Sequence, residues 1–180
     1  MTNRAILVID LQNDYFPDGK LPLVGIEDAA ANAARVIAAA RTRADAVIHV
    51  RHEAIPADAP FFVAGSEGAE IHRSVLPIRD EPVVVKNYPN AFRETNLREL
   101  LSQQRTKELV IVGAMSHMCI DAATRAAADL GFKVTVVHDA CATRDLEFAD
   151  RKVSAVDVHG AFMAALAAYA SLTTTENWLG

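Results

Sequence analysis

Six short stretches of this chain are almost continuously apolar, several of them rich in β-branched residues: AILVID (5–10), AVIHVR (46–51), PVVVK (82–86), ELVIVG (108–113), KVTVVHD (133–139) and ASLTTT (170–175). Most lack the polar alternation of a strand with one wet face, so they suit a sheet covered on both sides. Between them, residues 28–44, 95–104, 118–131 and 153–169 carry apolar side chains at helical spacing, with Gly131 placed to cap the third segment. Strand and helix alternate along the chain, which predicts an α/β protein: a three-layer α/β/α domain, residues 1–180, built on a mainly parallel six-stranded sheet. Residues 53–81 break this rhythm with EAIPADAPFFVAGSEGAEIHRSVLPIRDE, a proline-containing excursion with an aromatic pair. Long irregular stretches of this kind are usually functional loops or interface segments.

Composition excludes several classes. With 51% hydrophobic residues and a formal charge of −5, the chain is neither disordered nor suited to a polyanion. We therefore expect no nucleic-acid partner. The first residues, MTNRAILVID, hold an apolar run too short for a signal peptide or membrane span, which suggests a cytoplasmic protein with no membrane association. Cys119 and Cys141 form neither a CxxC pair nor a zinc spacing, and both are expected as free thiols.

Ligands of open parallel sheets bind beyond the carboxyl ends of the strands. Three residues fall there: Asp10 after the first strand, Lys86 at the end of PVVVK, and Cys119 shortly after ELVIVG. They amount to a base, a cation and a nucleophile, the set that covalent acyl transfer needs. A helix start and a nearby lysine would both favour the Cys119 thiolate, and Asp10 could carry the thiol proton to a departing amine.

The segments IDLQNDY (9–15), the lysine ending PVVVK, GAMSHMCID (113–121), GSEGAEIH (65–72) and KNYPNAFRETNLRELL (86–101) resemble the signature regions of the isochorismatase-like cysteine hydrolases. This superfamily includes nicotinamidases, N-carbamoylsarcosine amidases and streptothricin hydrolase. The resemblance runs in order through nearly the whole chain and implies a Rossmann-like domain in which Asp10 is the general base and acid, Lys86 holds Asp10 and the sulfur, and Cys119 is the nucleophile. It also implies a cis peptide between Ala114 and Met115, with the backbone N–H groups of Met115 and Cys119 forming an oxyanion hole. The implied reaction is hydrolysis of a small-molecule amide, lactam or carbamoyl C–N bond through a thioester. No cofactor is implied.

Departures from the family pattern narrow this reading. Nicotinamidases carry an Asp-x-His metal pair after the second strand, where this chain reads His52, Glu53, Ala54. No metal is therefore expected, and His52 and His72 are read as capping or backbone-bonding residues. Isochorismatase proper, a vinyl-ether hydrolase, lacks the nucleophilic cysteine, so Cys119 argues against that chemistry. HVRHEA, APFF and GSEGAEIH look most like a bacterial subgroup related to streptothricin hydrolase. Candidate substrate-binding residues are Asn13, Phe16, Tyr88, Asn90, Phe92 and His117; for the aromatics, ordinary core packing competes with that role. Ser116 stands where the superfamily usually has Thr, and Ala91 where it often has Ser. Cys141 is read as structural and His159 as a core or interface histidine. A homo-oligomer, at least a dimer, is expected from the excursion and the apolar C-terminal helix. The alternatives are a catalytically inactive or redox-sensing small-molecule-binding module of the same fold, or an isochorismatase-type ether hydrolase.

Overall fold

A computed structural model describes residues 3–180. Its central sheet contains β1 (Arg4–Ile9), β2 (Ala46–His52), β3 (Val83–Lys86), β4 (Glu108–Ala114), β5 (Lys133–Ala142) and β8 (Ser171–Thr173), in the order β3-β2-β1-β4-β5-β8. Every neighbouring pair in this sheet is parallel. Strands β6 (Leu146–Phe148) and β7 (Arg151–Val153) form a separate antiparallel hairpin that the apolar pattern did not indicate.

The strands divide their side chains between two helical layers, as their period of two requires. Ile6, Val8, Val110 and Val112 pack against Val36, Ile37 and the alanines of α1 (Ile26–Thr42), and Trp178 of the short α5 (Thr175–Leu179) joins them. The intervening residues Leu7, Ile9, Leu109 and Ile111 face α2 (Leu97–Gln103), α3 (Asp121–Asp129) and α4 (Ala155–Leu166) through Leu97, Leu101, Ala123, Ala127, Met163 and Leu166. Both faces are thus apolar, which explains the uninterrupted runs in the sequence. Gly131 follows the last turn of α3 at φ +88°, the left-handed geometry of a C-terminal glycine.

The third helix begins later than the pattern suggested. Ser116–Ile120 form one π-type turn, and α3 starts only at Asp121. The carbonyl of Met115 accepts from the amides of both Met118 (3.0 Å) and Ile120 (3.2 Å), and the second bond widens the turn. Among the described residues, no helix is long and apolar enough to cross a membrane.

Strand order reverses direction between β1 and β4: after β1 the chain builds outward to β2 and β3, then returns to the other side of β1. That is the topological switch point, and its crevice lies beyond Ile9 and Ala114.

Candidate active site

Three strand ends and one helix entrance deliver the polar residues of this crevice. Asp10 follows β1 in a left-handed conformation (φ 51°), and its amide donates to Val50 at 3.0 Å, so the chain turns as it leaves the sheet. Aspartate tolerates that conformation better than most residues. Lys86 closes β3 in register with His52, the last residue of β2. Its carbonyl accepts from Glu53 at 2.9 Å, continuing the ladder past the end of the strand. Cys119 sits in the π-type turn after β4.

Gly113 makes the close approach of β4 possible. It adopts φ +130°, and a side-chain carbon there would collide with the carbonyl of Ile9. Beside it the β4–β5 register shifts, from Ile111 opposite Val136 to Gly113 opposite Cys141. The next peptide, Ala114–Met115, is cis.

These devices bring Asp10, Lys86 and Cys119 together in a buried cluster, each less than 5% exposed. Lys86 Nζ lies 2.8 Å from Asp10 Oδ2 and donates to Cys119 Sγ at 3.2 Å. It also meets His52 Nδ1 at 2.7 Å. Burial works against the lysine's charged form, but Asp10 and Cys119 outweigh it and hold the Lys86 pKa above its ordinary value. For Cys119 the balance has the opposite sign. Burial first and the Asp10 carboxylate second push its thiol well above the usual range, against the pull of Lys86. This direction runs against the thiolate expected from a helix start, because the π-type turn delays the helix and Asp10 is buried beside the sulfur.

His52 is the residue that sequence reasoning missed. The sequence alone suggests a capping or backbone-bonding histidine, yet its ring reaches the lysine. The clue was positional, because a strand-terminal His lies beside a strand-terminal Lys once the register is known. Gln12 fixes its backbone, donating to the His52 carbonyl and accepting from the His52 amide, both at 2.8 Å. Burial, then the charge of Lys86, lowers the His52 pKa, so the ring is neutral near pH 7. His72, by contrast, caps a short turn as expected, its Nδ1 accepting from the Ser74 amide.

The excursion after β2 closes over this region as an ordered loop. Gln12 Nε2 also donates to the Ala69 carbonyl (2.8 Å), and buried Asp14 accepts from the Phe62 amide (2.6 Å). Gly68 lies so close to Asp14 that a side-chain carbon there would strike the carboxylate. Phe62 is buried at φ 56°, with ring-centroid separations of 4.6 Å to Tyr15 and 5.9 Å to His52. Tyr15 and Phe62 therefore belong to the surroundings of His52, though neither was singled out from sequence.

The candidate substrate-binding residues are dispersed. Asn13 and Phe16 line an outer cavity with His72 and Arg73, and neither Asp10, Lys86 nor Cys119 borders it. Phe16 stacks on His72 at 3.5 Å, and Asn13 Nδ2 donates to the Glu67 carbonyl at 2.8 Å. The Arg93 guanidinium covers Tyr88 at 3.6 Å. Asn90 accepts from the Phe92 amide at 2.9 Å, while Phe92 packs on the helical core against Phe132. His117 Nδ1 is 2.6 Å from Thr143 Oγ1. Ser116, next to it, meets His159 Nδ1 at 2.8 Å, which ties that histidine into a polar pair. Both cysteines are free, and burial pushes the Cys141 thiol up to about 12.

Comparison with known proteins agrees with this architecture. The isochorismatase domain model matches residues 4–176. The uncharacterized isochorismatase family protein YddQ of Bacillus subtilis is 49% identical over 176 residues, covering 97% of this chain and 98% of that protein. Streptothricin hydrolase of Streptomyces noursei is 35% identical over 79% of this chain, and the aligned region spans about half (51%) of that longer protein. A crystal structure of an isochorismatase from Pseudomonas putida superposes with a TM-score of 0.91 at 35% identity, over 97% of this chain and 89% of the other. A match of this extent, in chain order and in three dimensions, makes the protein a member of the isochorismatase family.

Proposed function

We propose that this protein is a cysteine-dependent hydrolase of a small-molecule amide, lactam or carbamoyl C–N bond, acting through a thioester. One observation carries the reading: a single buried ammonium touches both a carboxylate and a thiol, at 2.8 and 3.2 Å. Such an arrangement couples a proton acceptor to a nucleophile in a site screened from water. Family membership supports hydrolysis, and the relative named streptothricin hydrolase is a precedent for that class of activity.

In this reading the Cys119 sulfur attacks the carbonyl carbon while its proton passes to Asp10, whose carboxylate lies within 4.8 Å of the sulfur. Burial, which raises the Cys119 thiol pKa, makes a nearby proton acceptor useful to that attack. A C–S bond forms and the carbonyl electrons move to oxygen, where the backbone N–H groups of Met115 and Cys119 receive the oxyanion. Donors of this kind are worth about 2.7–4 kcal/mol in the barrier. As the intermediate collapses, the C–N bond breaks and protonated Asp10 gives its proton to the leaving nitrogen. Water, deprotonated by Asp10, then attacks the thioester, the C–S bond breaks, and the thiol is restored. Lys86 offsets the negative charge that shifts between carboxylate and sulfur throughout.

The test is product release from a panel of carboxamides, lactams and N-carbamoyl compounds, read as ammonia or ring opening, with Cys119→Ala as the blank. Turnover by the parent and none by the blank is expected. Equal turnover by both proteins would refute the mechanism.

A further inference from the structure

We propose that His52 is a positioning residue for Lys86, and that the Lys86 ammonium occupies the place a divalent cation would take among Asp10, His52 and Cys119. This deepens the reading above, since it concerns the same lysine.

A lysine ammonium has three N–H groups and no acceptor. Lys86 Nζ has three polar neighbours: Asp10 Oδ2 at 2.8 Å, His52 Nδ1 at 2.7 Å and Cys119 Sγ at 3.2 Å. The contacts to His52 and Cys119 have hydrogen-bond geometry and Asp10 is held as an ion pair, so His52 must offer a lone pair on Nδ1. The ring is therefore the neutral tautomer with its hydrogen on Nε2. His52 thus gives this buried ammonium a hydrogen-bond acceptor beside the sulfur and helps aim the bond to Cys119. Backbone restraint supports the assignment, because both the amide and the carbonyl of His52 are bonded to the Gln12 side chain.

The same three acceptors are an oxygen, a nitrogen and a sulfur whose candidate ligand atoms all lie within 4.8 Å of one another. That donor set is one zinc accepts. In this chain the ammonium stands at their shared contact point and supplies the positive charge. Removing it leaves three ligands around a vacated position, and binding of a metal there would release the Cys119 proton to solvent.

Two measurements test the proposal, and neither needs the substrate. The first is the alkylation rate of Cys119 by iodoacetamide at neutral pH, read by mass spectrometry. His52→Leu should slow it about tenfold, by analogy with the loss of outer partners at other ligand sites. His52→Gln, which keeps an acceptor, should restore most of the rate. The second is titration with Co²⁺, watching for a thiolate-to-cobalt charge-transfer band. Lys86→Ala should acquire the band, the parent should not, and His52→Leu/Lys86→Ala should lose it. Circular dichroism establishes folding of each variant, and if Lys86→Ala fails to fold the alkylation pair still decides. The proposal is overturned if His52→Leu reacts at the parent rate, if Gln does no better than Leu, if cobalt binding ignores His52, or if the parent binds cobalt at Cys119. A substrate panel that gave no turnover would refute the proposed function while leaving both readouts intact.

Discussion

Replacing Lys86 by Met removes the charge and keeps most of the apolar stem, so the perturbation falls on the ion pair. Both side chains of the Asp10–Lys86 pair are fully buried at 2.8 Å, and no backbone amide donates to the Asp10 carboxylate. At an effective dielectric of about 20, charges at this separation attract by roughly 6 kcal/mol, and desolvation cancels part of it. Removing one member of a buried pair typically costs about 3–5 kcal/mol, because the other charge is left uncompensated. For a chain of this size that loss lowers Tm by roughly 6–20 °C. Asp10→Asn removes the orphaned charge, and asparagine accepts the left-handed backbone at this position without added strain. The double variant should therefore be more stable than Lys86→Met alone by at least about 1.5 kcal/mol, the signature of coupled sites. Urea unfolding of the parent, both single variants and the double variant gives all four values. Lys86→Met within about 0.5 kcal/mol of the parent, or strictly additive losses, would refute the assignment of a buried, mutually compensating pair.

Cys119→Ala and Asp10→Asn should each abolish turnover, and the double variant should be scarcely worse than either, since groups that act as a unit are not additive; steady-state assays decide this. Because burial raises the Cys119 thiol pKa, its alkylation should be slow at pH 7 and climb with pH through 9 without levelling, whereas a plateau near neutrality would show a resting thiolate. Gly113→Ala should cost at least about 2 kcal/mol in urea unfolding, from the collision with Ile9 and the positive φ. Cys141→Ala should keep most of the activity.

The sheet was largely legible because its signal is carried by the core. Continuous apolar runs, helical spacing between them and the Gly131 cap all reflect burial on two faces, and predicted strand ends agree with β1 to β4 within a residue or so. Asp10, Lys86 and Cys119 could be placed together because parallel strands align their carboxyl ends. Three features were not legible. The β6–β7 hairpin rests on short polar strands with Phe148 exposed, so it leaves no apolar pattern. The bond from His52 to Lys86 depends on the β2–β3 register, which spacing along the chain does not specify. The direction in which the Cys119 pKa is pushed is a difference between opposing effects, and it could not be weighed until the burial of Asp10 and the π-type turn were known.

The strand that carries Lys86 lies at the edge of the sheet and is four residues long, with Val83 and Val85 turned outward and 41% exposed. Its alignment is held by the pairing of His52 with Lys86, by Glu53 donating to the Lys86 carbonyl, and by Asn87 donating to the Glu53 carbonyl at 2.7 Å. A slip of one residue exchanges the two faces and directs a valine at the crevice in place of the ammonium. The same slip would withdraw Val84 from the core face of the sheet. The register of this short edge strand is therefore a condition for the ammonium to reach Asp10 and Cys119.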